Sequence, residues 1–210
     1  MPQKIKLTRP ELKRHRDRLT RFQRYLPMLK LKQQQLQVTL GEVANRRREA
    51  EKAADEASLK VQRYEAVLAD LAGVPVRQYA SPEQVHSSRV NIAGVEVPVF
   101  EGVTFPEATY SLFGTPVWVD QALADLREQS RRQAVVDVLR EEEEILQGEL
   151  ARTIQRVNLF EKVMIPESRE AIRRIRIRLG DELAAGVGRA KIAKKKLAET
   201  YLRAPEEVDQ

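Results

Sequence analysis

Residues 12–43 have the sequence LKRHRDRLTRFQRYLPMLKLKQQQLQVTLGEV, the first part of a seven-residue repeat that continues to Leu71. Stepping alternately by three and four residues from Leu12 gives eighteen positions, of which fifteen are apolar. Only His15, Gln33 and Arg47 interrupt the series. This period places one narrow apolar stripe along a helix, and such a stripe has to be covered by a partner helix. The stretch therefore predicts a long helix that packs against another.

The ends of this first helix are marked by capping residues. Thr8 is a good N-cap residue, and Glu11 lies three positions later, which completes a capping box. The repeat continues to Leu71, where Gly73 and the following Pro75 favour a stop. Pro27 lies inside the helix and predicts a local kink, because proline lacks an N–H and crowds the preceding turn.

A second long helix is predicted from Pro116 to about Arg203, with a local kink at Pro166. Two long helices joined by a short insert fold back as an antiparallel pair. The residues predicted to form the apolar seam of this pair are Leu19, Phe22, Leu26, Leu29, Leu36, Leu40, Val43, Val157, Phe160, Met164, Ile172, Ile175 and Leu179.

The insert between the helices has a different pattern. Ser81 and Pro82 predict the capped start of a short helix. Alternating apolar residues over 90–99 surround Ala93 and Gly94, which predicts a β-hairpin with a two-residue turn. The expected fold is mainly α: a long antiparallel two-helix coiled coil with a small central insert. The predicted segments are 1–72, 73–115 and 116–210.

Composition excludes several classes of protein. The chain has no cysteine, which argues against disulfides and thiolate chemistry. No apolar run is long enough to cross a bilayer and no signal peptide opens the sequence, so we expect a cytoplasmic protein.

The charge is uneven along the chain. The net charge is +6, yet residues 1–32 carry +9 and residues 169–203 carry +7, which leaves an acidic middle. Antiparallel pairing brings both basic ends to one tip, represented by Arg14, Arg16, Arg18, Arg21, Lys191, Lys194 and Lys195. Such a tip suits an acidic protein surface or nucleic acid. One hypothesis for the function is therefore a coiled-coil protein that binds nucleic acid or serves as a scaffold through this basic tip. The acidic run at 141–144 is expected to be a solvated face, with docking to a basic partner as the minor alternative.

The sequence predicts no catalytic, cofactor-binding or metal site. The glycines at 186 and 188 lack the spacing of a phosphate-binding loop. His15 and His86 lie on different elements without partners at metal-ligand spacing.

One stretch has a specific resemblance. Residues 156–166, RVNLFEKVMIP, followed by IRRI at 172–175, resemble the C-terminal pattern of the D subunit of V/A-type rotary ATPases. Thr8-Arg9, the segment 29–32 and TPVWVD at 115–120 are similar to other parts of that family's sequence.

The resemblance implies a role without an active site and without direct nucleotide or nucleic-acid binding. The D subunit of that family is the central shaft of the motor. It couples the catalytic ring to H⁺ or Na⁺ flow. The implied partners are the catalytic A and B subunits, the F subunit of the stalk and the funnel-like C or d subunit, with the membrane reached only through the complex.

Overall fold

The computed structural model of the chain describes residues 6–63, 74–111 and 114–203, with the backbone alone for 200–203. The described elements in chain order are α1 (Arg9–Gln62), α2 (Val76–Ala80), β1 (Gln84–Ile92), β2 (Val95–Thr104), α3 (Trp118–Leu159), a π turn (Phe160–Met164) and α4 (Ile165–Arg203). The predicted fold class is confirmed: long helices precede and follow, along the chain, an insert with a short helix and an antiparallel hairpin.

Helix α1 begins where its capping residues predicted. The Leu12 N–H donates to the Thr8 carbonyl at 3.0 Å, which closes the first turn. The helix is continuous through Pro27 up to Gln62, a length of about 80 Å at ~1.5 Å per residue. The predicted continuation from Tyr64 to Leu71 lies outside the described residues.

The short helix of the insert was predicted at the wrong place. Helix α2 ends at Ala80, and Ser81 is its C-cap residue with an extended backbone. The Ser81 N–H donates to the Arg77 carbonyl at 3.1 Å, so it closes a helix instead of opening one. The physical reason is Pro82, because a residue that precedes proline is driven out of the helical region.

The hairpin turn is confirmed at Ala93 and Gly94, whose φ angles are +51° and +78°. The Gly94 N–H donates to the Asn91 side-chain oxygen at 2.9 Å, which supports the turn. The strands are longer than the predicted 90–99, because pairing extends from Ile92 opposite Val95 back to Gln84 opposite Thr104. A β-bulge between His86 and Ser87 shifts the register within this long ribbon.

The second long helix contains an irregular turn at the predicted site of Pro166. The Ile165 N–H donates to the Phe160 carbonyl, five residues back, so the turn before Pro166 is a π turn. A proline has no N–H to donate and crowds the preceding carbonyls, and a wider turn relieves this crowding. The helical path therefore continues past the proline as α4.

The chain forms two compact units. The terminal unit contains Met1–Leu29 and Arg156–Gln210, and the middle unit contains Lys30–Gln155. Each of α1 and α3 contributes to both units. The three-segment division at 72 and 115 stays a prediction.

Two apolar clusters hold the middle unit together. One joins Val76 and Ala80 of α2 to the first turns of α3. The other joins Leu36 and Val43 of α1, Leu146 of α3 and Val97 of β2, all fully buried. The hairpin therefore lies along the helix pair, which the sequence did not predict.

Candidate functional site

The thirteen predicted seam residues all lie on the less accessible side of the helices. Five are buried and eight are half-buried, and none is exposed. The buried ones are Leu36, Val43, Val157, Ile172 and Ile175. The half-buried ones are Leu19, Phe22, Leu26, Leu29, Leu40, Phe160, Met164 and Leu179. The structure brings Leu36, Leu40 and Val43 together in the middle unit, and Phe22 with Phe160 in the terminal unit.

In the middle unit, ion pairs connect α1 to α3. Lys32 Nζ lies 3.0 Å from a Glu149 carboxylate oxygen, and the Arg46 guanidinium lies 3.2 Å from Glu142. Arg47 Nε lies 2.6 Å from Glu143. We call these three contacts the interhelical ion pairs. From Lys32 to Arg46 and Arg47 the numbers on α1 rise, whereas the partners on α3 fall from Glu149 to Glu142 and Glu143, as antiparallel pairing requires.

The interpretation of residues 141–144 as a solvated face is therefore corrected. Glu142 is only 1% exposed, and its carboxylate is satisfied by Arg46. Glu143 is paired with Arg47, whereas Glu141 and Glu144 are exposed. A signal for this was present in the sequence, because the Arg46–Arg48 run and the acidic run are of opposite charge.

Arg47 is the centre of a wider charge network. It also pairs with Glu51 on its own helix at 2.6 Å, and Arg140 of α3 reaches the same Glu51 oxygen at 3.1 Å. Hydrogen bonds to Glu143 and Glu51 raise the pKa of Arg47. The Arg140 hydrogen bond, with help from Arg47, lowers the pKa of Glu51. Arg47 was predicted only as a break in the apolar series, and its polar partners explain why it occupies that position.

Arg127 fastens the insert to α3, a role that sequence reasoning missed. Its guanidinium donates to the Tyr79 carbonyl at 3.1 Å and the Pro106 carbonyl at 2.7 Å. It also lies over the Phe105 ring, 5.4 Å from the centroid. Nearby, the Tyr110 hydroxyl donates to Asp120 at 2.6 Å, and this bond raises the pKa of Tyr110.

The terminal unit contains a groove of about 880 Å³. We call it the terminal groove. Its apolar wall is formed by Phe22, Tyr25, Phe160, Met164 and Pro166. The rings of Phe22 and Phe160 lie 5.1 Å apart and tilted at 45°. Its charged rim is formed by Arg18, Arg21, Glu167, Glu170 and Arg174.

The predicted basic tip residues are distributed over α1 and α4. Arg14, Arg16 and Arg21 are exposed on α1, and Arg18 is half-buried. Lys191, Lys194 and Lys195 are exposed on α4. Arg14 pairs with Glu11 at 3.3 Å, and Lys195 with Glu199 at 3.8 Å.

The last part of α4 also exposes apolar residues. Leu183, Val187 and Leu197 lie at helical spacing beyond Leu179 and are each more than half exposed. The apolar track of α4 therefore ends as a stripe that faces solvent.

The two histidines lie in different surroundings, as expected. His15 Nε2 lies 3.9 Å from Glu11, and its Nδ1 is shielded from solvent with no partner among the described residues. His86 lies on exposed β1 and shares a hydrogen bond of 2.6 Å with Thr104. Within residues 6–63, 74–111 and 114–203, no cluster of acidic or histidine side chains is suited to hold a metal. In the same ranges, no helix has both the length and the hydropathy to cross a bilayer.

Comparison with known proteins places this architecture in a family. The family model of the ATP synthase D subunit matches residues 11–195. The V-type ATP synthase D subunit of Chlamydia felis is 38% identical over 208 residues, covering 94% of this chain and 95% of the relative. That of Borreliella burgdorferi is 34% identical over 194 residues, covering 92% and 95%. The chain therefore belongs to the D-subunit family of V-type ATP synthases.

Proposed function

We propose that this chain is the central rotor shaft of a V/A-type rotary ATPase or ATP synthase. It transmits torque between ATP turnover in a catalytic hexamer and H⁺ or Na⁺ movement through a membrane rotor. It has no catalytic role of its own. It lies on the cytoplasmic side and is held at the membrane only through the complex.

The observation that carries this proposal is the pairing of two long helices by both apolar and ionic contacts. A shaft has to resist twisting, which requires that its helices do not slide along each other. The buried contact of Leu36 with Leu146 fixes the separation of the helices, because cores are close-packed. The interhelical ion pairs fix the axial register, since a shift of one helical turn, ~5.4 Å, would separate every pair.

The charge distribution supports the choice of partners. The terminal unit has 22 Lys and Arg against 11 Asp and Glu, a net charge of +11, whereas the middle unit has a net charge of −5. We assign the terminal unit to the cavity of the hexamer of A and B subunits, where charge complementarity favours association without a deep specific bond. The F subunit and the funnel-like C or d subunit bind the remainder.

Affinity capture tests the assignment. A tagged chain purified from detergent-solubilised membranes should bring down the nucleotide-binding A and B subunits together with the F subunit. Mild washing should leave a complex with ATPase activity, whereas the isolated chain should have none. Recovery of the chain alone, or with nucleic acid or unrelated proteins, would overturn the proposal.

A further inference from the structure

The terminal groove contains more exposed apolar surface than helix pairing requires. Phe22, Phe160 and Met164 are only half-buried there, and Tyr25 is 50% exposed. Aromatic and methionine side chains that stay accessible in a groove are typical of surfaces that receive another protein. The groove, at about 880 Å³, has room for one large side chain and its neighbours.

The groove lies where the helix is irregular. Phe160 and Met164 are the first and last residues of the π turn, and Pro166 lies two residues after Met164. The π turn thus forms one wall of the groove. Single π turns inside α-helices occur frequently at functional sites. The same residues belong to the 156–166 stretch, which is the most distinctive part of the sequence.

The rim of the groove indicates the charge of its occupant. Arg18 and Arg21 have no carboxylate partner among the described residues. On the opposite side, Glu170 is held by Arg173 at 2.8 Å and Arg174 at 2.9 Å, which leaves little free negative charge there. Glu167 is the remaining acid of the rim and is exposed. With the +11 charge of the terminal unit, the two free arginines favour an acidic partner.

We propose that the terminal groove binds an acidic, apolar segment of another subunit of the complex. An apolar side chain of that segment inserts between Phe22, Tyr25 and Met164, and flanking carboxylates pair with Arg18 and Arg21. This inference rests on the proposed function and adds to it a defined contact point. Met164 adapts its rotamer to successive partners, which suits a rotor that meets several copies of one segment in turn.

Site-directed photo-crosslinking tests the inference. The chain has no cysteine, so Tyr25→Cys supplies its only thiol, which is labelled with benzophenone maleimide before reconstitution with the purified subunits of the complex. Met28→Cys is the matched control, because Met28 is 62% exposed on the same helix and does not line the groove. The label at position 25 should attach to a segment of another subunit in which an apolar residue has Asp or Glu within about four positions, one helical turn. The control should not label that segment.

Charge reversal gives a second readout. Arg21→Glu in the labelled chain should lower the yield of this adduct by about ten-fold, since like charges brought together at an interface oppose association. Arg24→Glu makes the same change on α1 outside the groove lining and should leave the yield within about two-fold. Circular dichroism verifies that both variants keep their helix content.

The outcomes separate the two proposals. If the labelled chain assembles with the nucleotide-binding subunits but gives no adduct, the groove inference falls and the shaft assignment stands. An adduct with a basic segment, or with a second copy of this chain, also overturns the groove inference. If the unmodified chain fails to assemble with those subunits, both proposals fall.

Discussion

Replacing Leu36 by alanine should be among the most damaging single changes in the middle unit. Leu36 is 0% exposed and packs with Val43, Val97 and Leu146, so it connects α1, α3 and the hairpin at one point. The change removes three carbon atoms, and at ~0.8 kcal/mol each their transfer from water accounts for about 2.4 kcal/mol. The cavity that remains adds to this, so the free energy of unfolding should fall by about 3–4 kcal/mol.

The measurement is a urea titration of the full chain followed by far-ultraviolet circular dichroism and by fluorescence of Trp118, the only tryptophan. Leu31→Ala is the matched control, because Leu31 lies on the same helix and is 57% exposed. Exposed positions usually change stability by about 0.5 kcal/mol or less. If Leu36→Ala and Leu31→Ala had the same midpoint, the assignment of Leu36 to a three-element core would be refuted.

Three further predictions concern the ion pairs, the pH dependence and the hairpin. Arg46→Ala should lower the free energy of unfolding by about 1–3 kcal/mol, because it leaves the buried Glu142 carboxylate unpaired. The control Arg48→Ala removes only an exposed contact and should leave the free energy of unfolding unchanged. Equal urea midpoints for the two variants would contradict this prediction. The hydrogen bonds from Arg173 and Arg174 hold the pKa of Glu170 at about 2, below the ordinary value of 4.5. The lowered pKa means that the ionised Glu170 carboxylate stabilises the folded chain; this stabilisation is complete above pH 4.5 and is lost as the pH falls toward 2. A titration of the Glu170 carboxyl by NMR should therefore have its midpoint near 2 and not near 4.5. Ala93→Gly should raise hairpin stability by about 1 kcal/mol, because φ at this position is +51° and a side chain with a Cβ is strained there. Gly94→Ala should lower hairpin stability for the same reason, since φ at Gly94 is +78°. Thermal melts in which Gly94→Ala is the more stable variant would contradict the turn geometry.

The local features of the fold were largely predictable from sequence. Helical period, capping residues and the Ala93-Gly94 turn are properties of a few neighbouring residues, so the long helices and the hairpin could be located from them. The failure at Ser81 came from two competing local signals. Ser81 is a favourable N-cap residue, but Pro82 removes its helical conformation, and the backbone restriction prevailed.

The contacts that place these elements were not predictable, because they depend on residues far apart in the chain. Nothing local distinguishes Val97 from the other valines of the hairpin, yet it alone of them is fully buried between the helices. Arg127 donates its hydrogen bonds to backbone carbonyls. Every residue has a backbone carbonyl, so the sequence does not indicate which ones Arg127 contacts. The terminal groove likewise depends on the register that sets Phe22 beside Phe160.

The antiparallel pairing imposes a delay during synthesis. Lys32 cannot form its ion pair until the ribosome has synthesised Glu149, which lies 117 residues later in the chain. At about 5–20 residues per second, the wait lasts roughly 6–23 s. Throughout that time α1 presents its apolar stripe without its partner, so the same stripe on a second nascent chain can pair with it. Neighbouring ribosomes on one messenger therefore face a competition between correct closure and mispairing, and chaperones that cover α1 should raise the yield of the folded chain.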